Sequence, residues 1–61
     1  MKNRYWIKGT KWNGEEWKGW LLFNNKQNAI EHAEEMLKSP ELTETHVENI
    51  FRNKTVWKKE K

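Results

Sequence analysis

Residues 5–23, YWIKGTKWNGEEWKGWLLF, decide the fold of this 61-residue chain. The two halves of this stretch, residues 5–12 and 17–23, are rich in aromatic and β-branched side chains, which favour β-strands. Asn13-Gly14 stands between them and is the strongest short signal for a β-hairpin. We therefore predict two antiparallel strands joined by a tight turn.

Alternation of side chains along a strand assigns the residues of this hairpin to two faces. A two-residue loop (Asn13-Gly14) and a four-residue loop (residues 13–16) both pair even-numbered positions with odd-numbered ones. One face is then predicted to carry Trp6, Lys8, Thr10, Trp12, Trp17, Gly19, Leu21 and Phe23. The other face is predicted to carry Tyr5, Ile7, Gly9, Lys11, Lys18, Trp20 and Leu22.

The rest of the chain predicts one helix. Asn24-Asn25 can cap a helix over residues 26–38, and five apolar residues recur there at helical spacing: Ala29, Ile30, Ala33, Met36 and Leu37. The following segment, residues 41–52, is ambiguous. A second helix starting at Ser39-Pro40 competes with a strand at about residues 45–52, which a turn at Asn53-Lys54 would join to a last strand over residues 55–58.

We predict an α+β fold in which one amphipathic helix packs on one face of a small antiparallel sheet. The predicted element order is ββαββ, and ββαα is the alternative. Residues 1–61 are expected to form a single domain whose last residues, 58–61, are a frayed tail.

Five tryptophans are many for a chain that buries only about 60% of its unfolded surface. Trp57 is predicted to lie in the core. The chain has no cysteine, and His32 and His46 lack partners at metal-binding spacing, so we expect neither disulfides nor a metal or other cofactor. Small domains without such cross-links are often stabilised by association, so we predict a homodimer.

Charge is distributed in three blocks. Residues 1–26 and 52–61 are basic, whereas residues 27–51 carry six glutamates against Lys38 alone. The longest apolar run, residues 20–23, is too short for a membrane span or a signal peptide. We therefore expect a cytoplasmic location without membrane contact, and a dipolar surface suited to a charged partner or a second copy.

Catalysis is not expected. The chain has no aspartate, its only serine (Ser39) precedes Pro40, and its glycines are not spaced as in a phosphate-binding loop. Adjacent glutamates, as in Glu15-Glu16 and Glu34-Glu35, do not converge on one substrate atom in a helix or strand. We predict that the protein is not an enzyme.

Binding is the function class that remains. One helix can cover only one face of the hairpin, so several aromatic side chains stay exposed and are expected to meet a partner or a second copy. The predicted interface consists of Trp6, Trp12, Trp17, Trp20, Lys8, Lys11 and Lys18. A protein partner is predicted; the alternative is nucleic acid, whose bases would stack on tryptophan and whose phosphates would contact lysine.

The chain also resembles a class of proteins. An aromatic hairpin leads through Phe23-Asn24-Asn25 into Ala29-Ile30-Glu31-His32-Ala33 and ends with Thr55-Val56-Trp57, in a sequence rich in Lys, Asn, Glu and Ile. In this it resembles the small accessory proteins encoded by phages of low-GC bacteria, among them anti-defence proteins. The resemblance implies an inhibitor of a host protein that acts in the host cytoplasm, and it identifies no site residues.

Overall fold

The fold contains four strands and one helix in the order ββαββ, as described for residues 3–61 by a computed structural model. The elements are β1 (Tyr5–Lys11), β2 (Glu16–Phe23), α1 (Lys26–Leu37), β3 (Leu42–Asn49) and β4 (Lys54–Glu60). All strand pairs are antiparallel, and the strand order is β2-β1-β3-β4. The predicted α+β fold is confirmed. The predicted domain, 1–61, also includes residues 1 and 2, which lie outside the described part.

Residues 12–15 join β1 to β2, and within them Trp12, Asn13 and Gly14 form a three-residue loop closed by a hydrogen bond from the Lys11 N–H to the Glu15 carbonyl at 2.8 Å. The Gly14 N–H donates to the Lys11 carbonyl at 2.9 Å, and the Gly14 φ of +88° is a left-handed conformation that glycine adopts without strain. An odd-length loop pairs positions of equal parity, so Lys8 lies opposite Lys18 and Gly9 opposite Trp17. The predicted division of the hairpin into faces was therefore wrong.

An irregularity in β2 changes the register near the middle of the hairpin. Trp6 pairs with Leu22 and Lys8 with Lys18, so residues 19–21 of β2 lie opposite Ile7 alone. Extra residues in one strand re-aim its side chains. Trp20, at the centre of this irregularity, is 87% exposed.

Helix α1 begins and ends close to the predicted positions. The Asn25 side chain caps it by accepting a hydrogen bond from the Asn28 N–H at 3.1 Å. Its apolar side buries Ala29, Ala33 and Leu37. The helix packs mainly against β3 and β1 and reaches β2 less.

The ambiguous segment forms a strand, β3, which confirms the predicted order ββαββ over the alternative ββαα. The strand starts at Leu42 and ends at Asn49, earlier than the predicted residues 45–52. The following turn occupies residues 50–53 instead of Asn53-Lys54. The Asn49 side chain shapes this turn by accepting a hydrogen bond from the Arg52 N–H at 3.1 Å.

The predicted frayed tail at residues 58–61 is replaced by strand structure. Strand β4 continues to Glu60, with Lys58 opposite His46 and Lys59 opposite Thr45. The Lys61 N–H then donates to the Thr43 carbonyl at 3.0 Å. The strand predicted from the β-propensity of Thr55-Val56-Trp57 therefore continues through the lysines that follow, because β3 supplies backbone partners for them.

The core lies between α1 and one face of the sheet. Its central cluster of buried apolar residues is Tyr5, Ile7, Ala29, Ala33 and Val47, and the half-buried residues packed against them are Trp17, Phe23, Ile30, Val56 and Trp57. Leu37 and Leu42 are also buried. Trp57 thus packs against the core as predicted, although it is only partly buried. Residues 3–61 contain no helix with the length and hydropathy needed to cross a membrane.

Candidate functional site

The seven predicted interface residues do not form one surface. Trp6, Lys8 and Lys18 lie on the face of the sheet opposite α1, which we call the open face. Trp17 lies on the helix side and is half-buried against the core. Trp20, in the irregular part of β2, lines the same pocket as Trp17, whereas Lys11 at the end of β1 and Trp12 in the turn lie apart from both groups.

Trp6 on the open face is held by its neighbours. Its indole N–H donates to Glu48 Oε1 at 2.9 Å, and Lys8 Nζ lies 3.1 Å from the same oxygen. The Nζ atoms of Lys8 and Lys18 lie 4.7 and 5.8 Å from the Trp6 ring centroid. The polar tip and the ring of Trp6 are therefore already engaged within the chain.

These contacts lower the pKa of the Glu48 carboxyl. The hydrogen bond from Trp6 is the largest cause that lowers the pKa of Glu48 below its ordinary value. Partial burial raises that pKa, while the hydrogen bond and charge of Lys8 and the charge of His46 lower it further. The net result is a carboxylate held in its ionised form.

A second group of side chains completes the open face. Thr10 Oγ1 donates to Glu44 Oε1 at 2.9 Å, and His46 Nδ1 lies 2.6 Å from Glu44 Oε2. No buried side-chain N or O atom in residues 3–61 lacks a hydrogen-bond partner. The open face is thus a satisfied network of mixed charge, with carboxylates placed among its lysines.

The exposed apolar surface lies elsewhere, at the edge of the sheet where β2 passes beside α1. A pocket of about 180 Å³ opens there between the strand and the helix. Its walls are almost entirely apolar, and we call it the β2–α1 groove; it is lined by Ile7, Trp17, Gly19, Trp20, Leu21, His32 and Met36. Because α1 lies mainly over β3 and β1, the helix leaves this part of β2 uncovered.

Large apolar side chains continue from the β2–α1 groove along β2. Trp20, Leu21 and Leu22 are all exposed. β2 is also an edge strand: it pairs with β1, and no other strand in residues 3–61 lies against its outer side. An edge strand with exposed apolar side chains is a template for pairing with another chain.

The other end of this surface is acidic. Beyond the β2–α1 groove, toward the start of α1, a shallow depression is lined by Phe23, Asn28, Glu31, His32 and Glu35. The rings of Phe23 and His32 lie 5.3 Å apart and mark the boundary between the two regions. We call this depression the acidic end of the groove.

Sequence reasoning identified Trp17 and Trp20 but not the rest of this surface. It missed Leu21, Met36 and His32 as groove residues, and Glu31 and Glu35 as neighbours of the groove. One signal was present: the run of residues 20–23, Trp-Leu-Leu-Phe, cannot direct all its side chains to one face of a regular strand. The contribution of the helix depends on packing and has no local signal.

The described side chains form no group of three or more His, Cys, Asp or Glu residues that could hold a metal ion. Comparison with known proteins adds no relative: no protein-family model, no curated protein and no solved structure matches this chain. The geometry and chemistry of the surface are therefore the basis for a function.

Proposed function

We propose that this chain is a small non-enzymatic binding protein that holds a protein partner at the β2–α1 groove. One observation carries the proposal: Trp20 is 87% exposed beside an apolar pocket, on a strand whose outer edge is free in residues 3–61. Tryptophan is enriched among the residues that dominate the energy of protein interfaces. The pocket next to it offers a concave, apolar place for a partner's side chain.

Burial of Trp20 by a partner is expected to contribute favourable free energy to binding. A tryptophan side chain buries about 150–250 Å² when it is enclosed, which at about 25 cal/mol per Å² corresponds to roughly 4–6 kcal/mol before the costs of association. Leu21 lines the same groove and extends the patch, and exposed Leu22, which pairs with Trp6, adds apolar surface toward the open face. Small apolar contacts around a central anchor are typical of an interface that excludes water.

The partner class comes from the resemblance to phage accessory proteins. We propose a host protein, such as a component of a defence system in the host cytoplasm, which the bound chain would inhibit. A surface inhibitor needs no catalytic residues of its own. The candidate site accordingly combines shape, apolar area and charge, all of which serve binding.

Nucleic acid is a weaker candidate partner. The open face presents a single tryptophan, Trp6, which Lys8 and Lys18 already cover. Glu44 and Glu48 lie on the same face and would repel phosphates. Homodimer formation stays a prediction, and sedimentation at micromolar and higher concentrations tests it.

The experiment compares two exposed tryptophans. Host lysate is passed over immobilised wild type, Trp20→Ala and Trp12→Ala; Trp12 is 72% exposed but lies in the β1–β2 turn, away from the groove. We expect a host protein that wild type and Trp12→Ala retain and that Trp20→Ala releases. Equal retention by all three proteins would contradict the proposed surface, and capture of nucleic acid alone, lost at high salt, would favour the alternative.

A further inference from the structure

Three features of the β2–α1 groove lie next to one another. The outer backbone edge of β2 is free in residues 3–61, the groove accepts an apolar group, and Glu31 and Glu35 lie beyond it. A strand added to β2 would pass all three, because its side chains alternate between the helix side and the open face.

We propose that the partner binds as an extended segment that adds a fifth strand next to β2. It places one large apolar side chain in the β2–α1 groove and one basic side chain at the acidic end. This inference rests on the proposed function and specifies the partner's chemistry.

The size of the pocket indicates which apolar side chain of the partner it can hold. A closed apolar cavity of about 150 Å³ holds one benzene ring. The β2–α1 groove, at about 180 Å³, is therefore of the size of one phenylalanine or leucine side chain. The residues Trp17, Trp20 and Met36 supply apolar walls on both sides of it.

The charges around the groove determine which side chains we expect beside the apolar anchor of the added strand. Glu31 makes no ion pair in the described part of the chain, and Glu35 pairs only with exposed Lys38 at 3.3 Å. A lysine or arginine of the added strand, two or four residues from its apolar anchor, lies on the same side and can meet these carboxylates. The residue next to the anchor on the side away from the acidic end lies toward the open face, where Lys18 favours an acidic side chain.

A second copy of the chain fits this surface poorly. Its own β2 carries Lys18 on the open face, so that strand has no basic side chain for the acidic end. Its β4 has Trp57 and Lys59 on the helix side, but Trp57 packs on its own core and Lys59 Nζ lies 3.4 Å from Glu34. The observations therefore favour a foreign segment.

Synthetic peptides test the proposal directly. The probe is designed to pair antiparallel with β2. It is an acetylated ten-residue peptide that alternates Thr and Glu on one side and carries Phe, with Lys two and four residues before it, on the other. Two control peptides replace Phe by Ala or both Lys by Glu. Tryptophan fluorescence of the intact protein gives the affinity, since Trp17 and Trp20 line the groove.

We expect the probe to bind at least tenfold more tightly than either control, and to slow amide hydrogen exchange in β2. The double variant Glu31→Gln, Glu35→Gln should abolish the preference for lysine while leaving the preference for phenylalanine. Glu15→Gln, in the β1–β2 turn, is the matched control and should change neither.

Equal binding of the three peptides, or no binding at millimolar concentration, would overturn the strand proposal. If Trp20→Ala still released the host partner in that case, the proposed function would stand and only the mode of binding would be wrong. A dimer that Trp20→Ala dissociates would identify a second copy as the occupant and would also overturn it.

Discussion

Gly9→Ala should destabilise the protein strongly, because the structure leaves no room for a methyl group at this position. A Cβ atom on Gly9 would lie 2.5 Å from the Glu44 carbonyl oxygen, 3.4 Å from Trp17 Cε3 and 3.5 Å from Thr45 Cα. The nearest atom belongs to the backbone of β3, so it can move only if β1 and β3 separate. Overpacking of this kind costs about 1–3 kcal/mol, and a backbone obstacle favours the upper end.

This loss is a large fraction of the free energy of unfolding of the whole protein. A domain of this length is expected to have a free energy of unfolding of about 3–9 kcal/mol. With a urea dependence of about 1 kcal/mol/M for a small protein, a loss of 2–3 kcal/mol lowers the unfolding midpoint by roughly 2–3 M. Equilibrium unfolding in urea, followed by tryptophan fluorescence and circular dichroism, measures this shift.

Two other glycines serve as controls. A Cβ on Gly19 would lie 3.2 Å from the Ile7 carbonyl oxygen, so Gly19→Ala should cost less than Gly9→Ala. Gly14→Ala meets no atom within 4 Å, and its cost of about 1 kcal/mol comes only from the positive φ. If Gly9→Ala unfolds within 0.3 M of wild type, the register that places Gly9 against β3 and beneath Trp17 is wrong.

Three further substitutions test separate contacts. Trp6→Phe removes the hydrogen bond that lowers the pKa of Glu48, so we expect the free energy of unfolding at pH 7 to fall by about 1–2 kcal/mol. This difference from wild type should shrink as the pH falls below 4.5, the ordinary pKa of Glu, because Glu48 then becomes protonated. Urea unfolding measures the difference, and a difference independent of pH would contradict the prediction. Thr45→Val removes the buried hydrogen bond from Thr45 Oγ1 to the Ala33 carbonyl (3.1 Å) and should cost about 1 kcal/mol; the control is Thr43→Val, which removes a solvent-exposed hydrogen bond to the Thr10 carbonyl (3.3 Å) and should cost less. Asn25→Ala removes the helix cap and should lower the thermal midpoint by the equivalent of about 1 kcal/mol, and an unchanged midpoint would argue against the cap.

The hairpin and the helix could be predicted because their signals are local. Asn13-Gly14 identifies the turn, and Asn25 with the apolar spacing of α1 identifies the helix. The faces of the hairpin could not be predicted, because a three-residue loop and a two-residue loop share the same Asn-Gly signal and give opposite parity. The irregularity at residues 19–21 then shifts the register again, through packing of β2 against β1.

Strand β3 was ambiguous for a different reason. The residues that it buries on the helix side include Thr45 and Asn49, which look polar in sequence. The Thr45 hydroxyl donates to the Ala33 carbonyl in α1, and the Asn49 side chain accepts from the Arg52 N–H in the following turn. Both partners lie outside the strand. The buried apolar residues of β3 are Leu42 and Val47, which are five positions apart, so the strand lacks the apolar alternation expected of a half-buried strand.

The candidate site was predicted in part. Two of its anchors, Trp17 and Trp20, belong to the predicted interface, and the expectation of uncovered aromatic residues is met by Trp20 and Trp12. The β2–α1 groove itself results from the position of α1 over β1 and β3. No pattern in the helix sequence determines which two strands it covers.

The central claim is that the β2–α1 groove is the surface that a protein partner covers, and site-specific crosslinking tests it most directly. The photoreactive residue benzoylphenylalanine replaces either Leu21, which lines the groove, or Phe51, which is 62% exposed in the β3–β4 turn, and each protein is irradiated in lysate of the proposed host. We predict one protein adduct of defined mass from position 21 and none from position 51. The same adduct from both positions, or an adduct from position 51 alone, would contradict the account.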